Sequence, residues 1–390
     1  MTHDAMGATT ESPSSITLPE QVAAPTVPPV HYDPAPTPIP APAPAIAVIA
    51  KDPIDWQRIG LVTAAYLGSL IAFGVVVAIK GANPFSVYHT MVKSTILNGG
   101  SLQQTVLRAI PIALAALAVT IPARAGLVNV GGEGQLIMGA VAATGIGVAI
   151  GGHVAGPISW VAMAVAGALA GAVWGGVSGI LRTALNANEA VTTLLLNFIA
   201  NDVMLYLIYQ PWKDPHGSGQ PQSRPLAHAA VLPRLFGSQL NIGLIAAAVV
   251  AVGTWYALQR TGWGFALRVV GGNREAARRA GLRVNRLLLS SMLAGGALAG
   301  LGGALNLAGV ETQLRPDVTV TFGYVAFLAS YLGRHDPLKV VGAALLFSAI
   351  ALSGNGLQLT NGLDGAIVDV LLGLIVLAPL VTAKKRGRAT

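Results

Sequence analysis

Apolar residues dominate the chain from residue 59 to residue 382 and are interrupted only by short polar stretches. A helix needs about 20 apolar residues to cross the hydrocarbon core of a membrane, and fewer when it packs inside a bundle. The pattern predicts ten such segments, at residues 59–79, 102–122, 127–150, 157–181, 189–209, 240–259, 287–310, 318–333, 338–354 and 365–382. We therefore expect an all-α fold, a polytopic transmembrane helix bundle of about ten spans.

The first fifty residues follow a different pattern. They hold eleven of the 24 prolines, four acidic residues and no lysine or arginine. Such a stretch buries too little apolar surface to fold, and without a basic start it does not resemble a secretory signal. We predict a disordered Pro/Ala-rich cytoplasmic tail at 1–50, either dispensable or a tether, and a transmembrane domain at 51–390.

Composition narrows the class further. Hydrophobic residues make up 53% of the chain and charged residues 10%, whereas soluble domains carry about 25% charged residues. The absence of cysteine excludes disulfides, thiolate catalysis and cysteine-ligated metals. No HExxH, GxSxG or Walker A motif occurs, and the seven histidines are scattered, so neither a metal site nor an enzyme is predicted.

The basic residues are distributed unevenly across the predicted loops. With the N-terminus inside, 17 of the 24 lysines and arginines lie on the cytoplasmic side and seven on the outer side. An inside excess of this size predicts that both termini are cytoplasmic. The net charge of +8 therefore indicates orientation in the plasma (inner) membrane, and no nucleic-acid partner is expected.

Two sets of glycines predict close helix packing. Gly167, Gly171, Gly175 and Gly179 recur every fourth residue, which places them on one face of a helix. A second set lies in the seventh apolar segment and comprises Gly295, Gly296, Gly300, Gly302 and Gly303. Because both sets lie within lipid-length apolar segments, packing is a better interpretation than a phosphate-binding loop.

The loop at 260–286 carries seven arginines between two glycine-marked breaks. Its alanines, arginines and single glutamate predict a short helix along the membrane surface. The alternative for each arginine taken singly is a basic loop that only obeys the positive-inside rule.

Within this loop, Glu275-Ala276-Ala277 followed by Gly281 resembles the EAA motif of ABC importer permeases, the helix that docks onto the ATPase subunit. The wider string from Leu267 to Ala277 is similar to the branch that imports ribose-type sugars, nucleosides and branched amino acids. The resemblance implies that this coupling loop contacts the ATPase through Arg268, Gly271, Asn273, Glu275, Ala276, Ala277 and Gly281.

Two further stretches are similar to the nucleoside and simple-sugar members. They are residues 124–136, reading RAGLVNVGGEGQL, and residues 188–197, reading NEAVTTLLLN. In the outer loop at 210–239, residues 211–215, reading PWKDP, and residues 221–223, reading PQS, also resemble nucleoside permeases. Together the likeness covers most of residues 59–382.

This resemblance implies a permease subunit of an ATP-driven importer for nucleosides or related simple sugars. The expected partners are an ABC ATPase subunit, a second permease that is homologous or identical, an extracytoplasmic substrate-binding lipoprotein and the lipid bilayer. ATP and Mg would bind the ATPase, and no cofactor is expected on this chain. The rivals are a secondary transporter driven by an ion gradient through Asp202 or Glu133, and a membrane scaffold without transport.

Polar residues inside apolar segments are the candidates for the substrate pathway. Asn129, Glu133 and Gln135, with three glycines among them, predict a broken or re-entrant helix, because irregular backbone at membrane depth must be buried or face water. Glu133 could contribute to the pathway, or it could be held by Arg124 or by a backbone amide at the cytoplasmic edge.

The fifth segment adds Asn197, Asn201 and Asp202. Asn197 and Asn201 share one helical face, and Asp202 should face protein or a cavity because a carboxylate near the bilayer centre is costly. The asparagines could instead only join helices. The weaker candidates are Asn306, Glu311, Phe322 and Tyr324.

Overall fold

A computed structural model describes residues 56–217, 219–319 and 321–383. The predicted tail at 1–50 lies outside these residues. In the described part the regular structure is helical, and two isolated β-bridges join residues of the outer loop and its flank, Lys213 with Ser223 and Arg234 with Asn241. The predicted all-α fold is confirmed.

Thirteen α-helices occur in the described residues, and three short helices of other types separate or extend them. The α-helices are α1 (Trp56–Ile79), α2 (Pro84–Val92), α3 (Ser101–Arg124), α4 (Gly132–Ile150), α5 (Gly156–Leu185), α6 (Glu189–Tyr209), α7 (Gly243–Arg260), α8 (Gly262–Gly272), α9 (Arg274–Arg279), α10 (Val284–Asn306), α11 (Phe322–Leu332), α12 (Pro337–Asn361) and α13 (Ile367–Ala383). The short helices are π-helices at Lys93–Leu97 and Leu307–Glu311 and a 3₁₀ turn at His228–Ala230.

All ten predicted segments contain a helix. Eight of these helices are long and apolar enough to cross a membrane, namely α1, α3, α4, α5, α6, α7, α10 and α12. The segments predicted at 318–333 and 365–382 hold the shorter apolar helices α11 and α13. At 1.5 Å per residue, the 11 residues of α11 extend only about 16 Å, roughly half of a ~30 Å core.

The central helix of the bundle is α10, which packs against α3, α4, α5 and the short helix α8. Its glycines make this possible, because a Cβ at Gly300 or Gly296 would overlap the backbone of α5 near Gly171. The glycines of α5 face the same seam and are buried. The prediction of close glycine packing is confirmed.

Two short elements after α1 were not predicted. The chain leaves α1, turns at Gly81, whose φ is 81°, and forms α2 and the π-helix at Lys93–Leu97 before it enters α3. Asn83 caps α2 by accepting a hydrogen bond from the backbone N–H of Phe85, and Pro84 follows at the first helical position. These elements pack beside α12 and widen that side of the bundle.

Candidate functional site

The predicted helix break lies between α3 and α4. After Arg124 the chain turns at Gly126, whose φ is 72°, and residues 127–130 run without helical structure before α4 begins at Gly132. Leu127 and Asn129 in this segment are buried. Its backbone N–H and C=O groups therefore need partners from elsewhere in the protein.

One face of α6 supplies these partners. The backbone N–H of Val130 donates to the Thr193 hydroxyl at 3.1 Å, and that of Gly134 donates to Asn197 Oδ1 at 2.8 Å. Asn197 Nδ2 donates in turn to the Val130 carbonyl at 3.0 Å. Glu189, Thr193 and Asn197 are spaced by four, so they share a helix face. The two stretches at 124–136 and 188–197 are therefore in direct contact.

Two of the predicted pathway residues hydrogen-bond each other inside this segment. Asn129 Nδ2 lies 3.2 Å from Gln135 Oε1, and Asn129 Oδ1 accepts from the backbone N–H of Gly131 at 3.0 Å. Both side chains are buried. These hydrogen bonds stabilise the conformation of the helix break.

Glu133 lies where the N-termini of α4 and α11 meet. Its Oε2 accepts a hydrogen bond from the backbone N–H of Gly323 at 2.6 Å, and Glu133 is only 7% exposed. Gly132 and Gly323 let the two backbones touch. The alternative of a pair with Arg124 is wrong, because the Arg124 guanidinium donates to the carbonyl of His335.

A carboxylate suits this position electrostatically. The N-terminus of a helix carries a partial positive charge from its unpaired N–H groups, and here two such ends converge on Glu133. The alternative in which a backbone amide holds Glu133 is correct. That amide, however, is the N–H of Gly323, which lies inside the bundle and not at its edge. Gly323 is nine residues before Leu332, the last residue of α11, so it lies roughly 14 Å from the turn that follows.

A cavity of about 280 Å³ opens beside Glu133. Asn197 and Asn201, which line it, are eight and twelve residues from the start of α6, roughly 12 and 18 Å along that helix. The cavity therefore lies at mid-depth. Its full lining is Glu133, Ile137, Asn197, Phe198, Asn201, Pro316, Thr319, Thr321 and Tyr324.

The remaining predicted pathway residues lie elsewhere. Asp202 is exposed on the surface of the chain and does not line the cavity. Asn306 is buried and donates to the Val318 carbonyl at 2.9 Å, and Phe322 packs against the apolar core. Glu311 ends the π-helix at Leu307–Glu311.

Sequence reasoning missed five cavity residues, Ile137, Phe198, Pro316, Thr319 and Thr321. The last three belong to the connection between α10 and α11. The only signal for them was that the apolar segment at 318–333 is short for a span, which is typical of a half-helix that starts inside the bundle.

The predicted surface helix is a pair of helices, α8 and α9. Asn273 separates them and caps α9, accepting a hydrogen bond from the backbone N–H of Ala276 at 2.9 Å. Ala277 is fully buried in an apolar cluster with residues of α3, α8 and α10, whereas Glu275 and Ala276 are exposed. Glu275 pairs with Arg278 and Arg279 at 3.0 and 3.2 Å.

The glycines of this loop have separate structural roles. Gly281 ends α9 in a left-handed conformation with a φ of 83°, and the N–H of Leu282 bonds back to the Ala277 carbonyl. Gly271 lies against the Arg124 carbonyl so closely that a Cβ would collide with it. The Arg268 guanidinium donates to the Leu258 carbonyl at the end of α7.

Arg124 connects α8 and α9 to the turn between α11 and α12. On one side, Gly271 contacts Arg124 itself, and Arg274 donates to the neighbouring Gly126 carbonyl at 2.9 Å. On the other side, Arg124 Nε and Nη2 donate to the His335 carbonyl at 3.0 and 2.7 Å. Burial, and secondarily the charge of Arg124, lowers the pKa of His335, so its ring favours the neutral form.

Lipid-length helices, a buried helix break beside a mid-depth cavity, and an exposed short helix on one side together define a polytopic membrane protein with an internal cavity. Comparison with known proteins gives the family. The model of the family described as branched-chain amino acid transport system / permease component matches residues 101–380. The chain belongs to this family.

Named relatives agree with this assignment. The chain is 33% identical over 336 residues to the glucose ABC transporter permease protein TsgB13 of Haloferax volcanii, an alignment covering 83% of this chain and 87% of the relative. It is 29% identical to the guanosine ABC transporter permease protein NupP of Bacillus subtilis, covering 70% and 79%. The nucleoside ABC transporter permease protein NupB of Lactococcus lactis is 27% identical, covering 82% and 88%. The chain is thus a permease subunit of an ABC transporter.

Proposed function

We propose that this subunit imports nucleosides or related simple sugars, and that the cargo passes the cavity beside Glu133. Permeases named for glucose, guanosine and nucleosides are all among its relatives. The observation that carries the proposal is a continuous series of contacts from the exposed helix α9, through Arg124, to the turn that ends α11, whose other end forms the cavity.

The lining of the cavity suits a polyhydroxylated cargo. Asn201, Thr319 and Thr321 offer amide and hydroxyl groups to sugar hydroxyls, and the ring of Tyr324 offers an apolar face to a base or sugar ring. The volume of about 280 Å³ is at the lower limit of the ~300–1,000 Å³ found for small-molecule sites. In this proposal a second permease chain completes the passage, and the exposed Asp202 on α6 faces that passage.

The energy comes from a separate ATPase chain that binds ATP and Mg. Its docking surface on this chain is α9, where Glu275 and Ala276 point outward and buried Ala277 fixes the helix to the bundle. Both termini and α9 lie in the cytoplasm, consistent with the excess of basic residues on that side. A substrate-binding lipoprotein delivers cargo from outside.

In the proposed mechanism, a displacement passes from α9 to α11 along this series of contacts. Docking or closure of the ATPase displaces α8 and α9, which press on the turn at Arg124 and Gly126 through Gly271 and Arg274. Arg124 passes the movement to the His335 turn and so to the base of α11. Rigid elements that have two arrangements can transmit such a displacement to a distant site.

Replacement of one exposed alanine tests the docking surface. Ala276→Arg places a long cation on the outward face of α9 and should abolish co-purification of the ATPase and uptake of labelled guanosine or glucose. Ala184→Arg is the matched control, since Ala184 is also an exposed alanine in the last turn of a helix on the same side. The control should keep the ATPase and the uptake.

The gradient-driven rival gives the opposite result. If uptake persists after ATP depletion and collapses with an ionophore, or if Ala276→Arg retains both ATPase and uptake, the proposal is wrong.

A further inference from the structure

A second, larger cavity lies on the side of the bundle formed by α1, α2, α12 and α13. It measures about 770 Å³, and its lining is dominated by apolar side chains such as Leu70, Met91, Leu346 and Ile375. Leu70, Val92, Ile96 and Leu346 are exposed, so the cavity is an open groove on the outside of the described bundle. It shares no residue with the cavity beside Glu133.

Three of the four hydroxyl groups that line this groove are already used by the protein. Tyr88 donates to the Leu70 carbonyl, Thr95 to the Met91 carbonyl at 2.7 Å, and Ser353 to the Ile350 carbonyl at 2.6 Å. These three hydroxyls therefore have no donor left for a polar solute. The groove is chemically suited to hydrocarbon.

One end of the groove is basic. Lys339 is the charged residue among those that line it, and it is exposed at the start of α12. Arg334 is exposed in the adjoining turn, directly after the lining residue Gly333. The acidic residue of this turn, Asp336, is half-buried and caps α12 through the backbone N–H of Lys339. The mouth therefore carries an excess of positive charge.

The length of the groove fits a lipid chain. Along α12 it extends from Lys339 to Ser353, 14 residues, which corresponds to roughly 21 Å. That is about two-thirds of a ~30 Å hydrocarbon core. The basic mouth lies on the same side of the bundle as α8 and α9, because Arg124 contacts both regions.

We propose that this groove binds an anionic phospholipid of the leaflet on the side of α8 and α9. One acyl chain lies along the apolar groove, and the headgroup phosphate lies at Lys339 and Arg334. Basic pockets between transmembrane helices on the cytoplasmic side are suited to anionic headgroups. Charge complementarity at the mouth selects an anionic lipid over a zwitterionic one.

Binding of two lipids that differ only in headgroup tests this site. The full chain is purified in detergent, stripped of lipid and titrated with dioleoyl phosphatidylglycerol or dioleoyl phosphatidylcholine, and bound lipid is counted by native mass spectrometry. The anionic lipid should bind about tenfold more tightly, and Lys339→Gln should reduce this preference roughly fivefold.

Blocking the groove should remove both lipids. A Cβ at Gly342, which lines the groove, meets no atom within 4 Å, so Gly342→Leu projects into open space there. Gly253→Leu on α7 is the matched control, since Gly253 is also an exposed helical glycine with no atom within 4 Å of its Cβ. It should leave lipid binding unchanged.

Four outcomes would overturn the proposal. Equal binding of the two lipids, or an unchanged preference in Lys339→Gln, would remove the headgroup site. Lipid binding that survives Gly342→Leu would show that the acyl chain lies elsewhere. If Gly342→Leu instead separates this chain from a second permease without changing lipid binding, the groove is a protein interface.

Discussion

At the scale of single residues, Glu133 is central to the candidate site, which comprises the helix break between α3 and α4 and the cavity beside it. It is a buried carboxylate, its Oε2 accepts from the N–H of Gly323, and it also lines the mid-depth cavity. A buried donor that loses its acceptor costs about 1–3 kcal/mol, whereas an amide oxygen can replace the carboxylate as acceptor. The two roles of Glu133, as hydrogen-bond acceptor and as ionisable group, can therefore be separated by mutation.

Glu133→Gln and Glu133→Ala should give different results. The glutamine variant keeps an acceptor for Gly323, so its thermal midpoint should stay near that of wild type, while its uptake falls because the ionisable carboxyl group is lost. The alanine variant should lose about 1–3 kcal/mol of unfolding free energy as well as uptake. Thermal unfolding in detergent and uptake normalised to membrane abundance measure the two effects. Full uptake in both variants would remove Glu133 from the pathway.

At the scale of elements, the seam between α5 and α10 sets the spacing of the bundle. Gly300 packs against the backbone at Gly167 and Gly171, and backbone atoms cannot move aside as a flexible side chain can. The seam therefore tolerates no added methyl group at its centre.

Gly300→Ala should destabilise the protein by about 1–3 kcal/mol through overpacking. The same substitution at Gly253, where the Cβ meets open space, should be neutral or stabilise α7 by up to about 1 kcal/mol, because alanine is the better helix former. Thermal unfolding of the two variants in the same detergent makes the comparison. A midpoint for Gly300→Ala equal to that of Gly253→Ala would contradict the packing argument.

The elements themselves were largely predictable, because lipid-length apolar runs and the glycine spacing follow from local sequence. The break between α3 and α4 was predictable from the polar and glycine residues at 129–135. The partners of that break were not, since Thr193 and Asn197 are more than sixty residues away and only the folded bundle brings them close. Likewise, α2 is too short and too amphipathic to produce a membrane signal.

The residues of the candidate site were likewise predictable only in part. The pattern singled out Glu133 and Asn197 because polar groups are rare in apolar segments. It could not separate Asn201, which lines the cavity, from its exposed neighbour Asp202. For Thr319 and Thr321 it gave no signal beyond the shortness of the apolar segment at 318–333, because threonine is unremarkable in a connection between helices.

At the scale of the whole molecule, Arg124 connects α8 and α9 to the turn between α11 and α12. Its carbonyl touches Gly271 and its guanidinium holds His335, so it belongs to both the α8 side and the α11–α12 side. In the proposed mechanism, its removal should leave the docking surface on α9 intact and weaken only the connection to the cavity.

Arg124→Gln should therefore retain the ATPase but uncouple it. Coupling free energies are typically about 1–3 kcal/mol, so the ratio of cargo imported to ATP hydrolysed should fall at least about fivefold. Arg124→Lys should restore part of this ratio because it returns a charged donor. The control is Arg283→Gln, which removes an equal charge from an exposed position on the same side. An unchanged ratio in Arg124→Gln would contradict the contact series, and loss of the ATPase would indicate a docking role.

The brevity of α11 has a mechanical consequence. Between Gly323 and Gly333 its sequence contains neither glycine nor proline, so the helix has no point at which it can readily bend. Its N-terminal end contacts Glu133, and its C-terminal end adjoins the turn to which Arg124 donates hydrogen bonds. Because this helix is stiff, any tilt imposed at its C-terminal end also moves its N-terminal end, which lies beside the cavity.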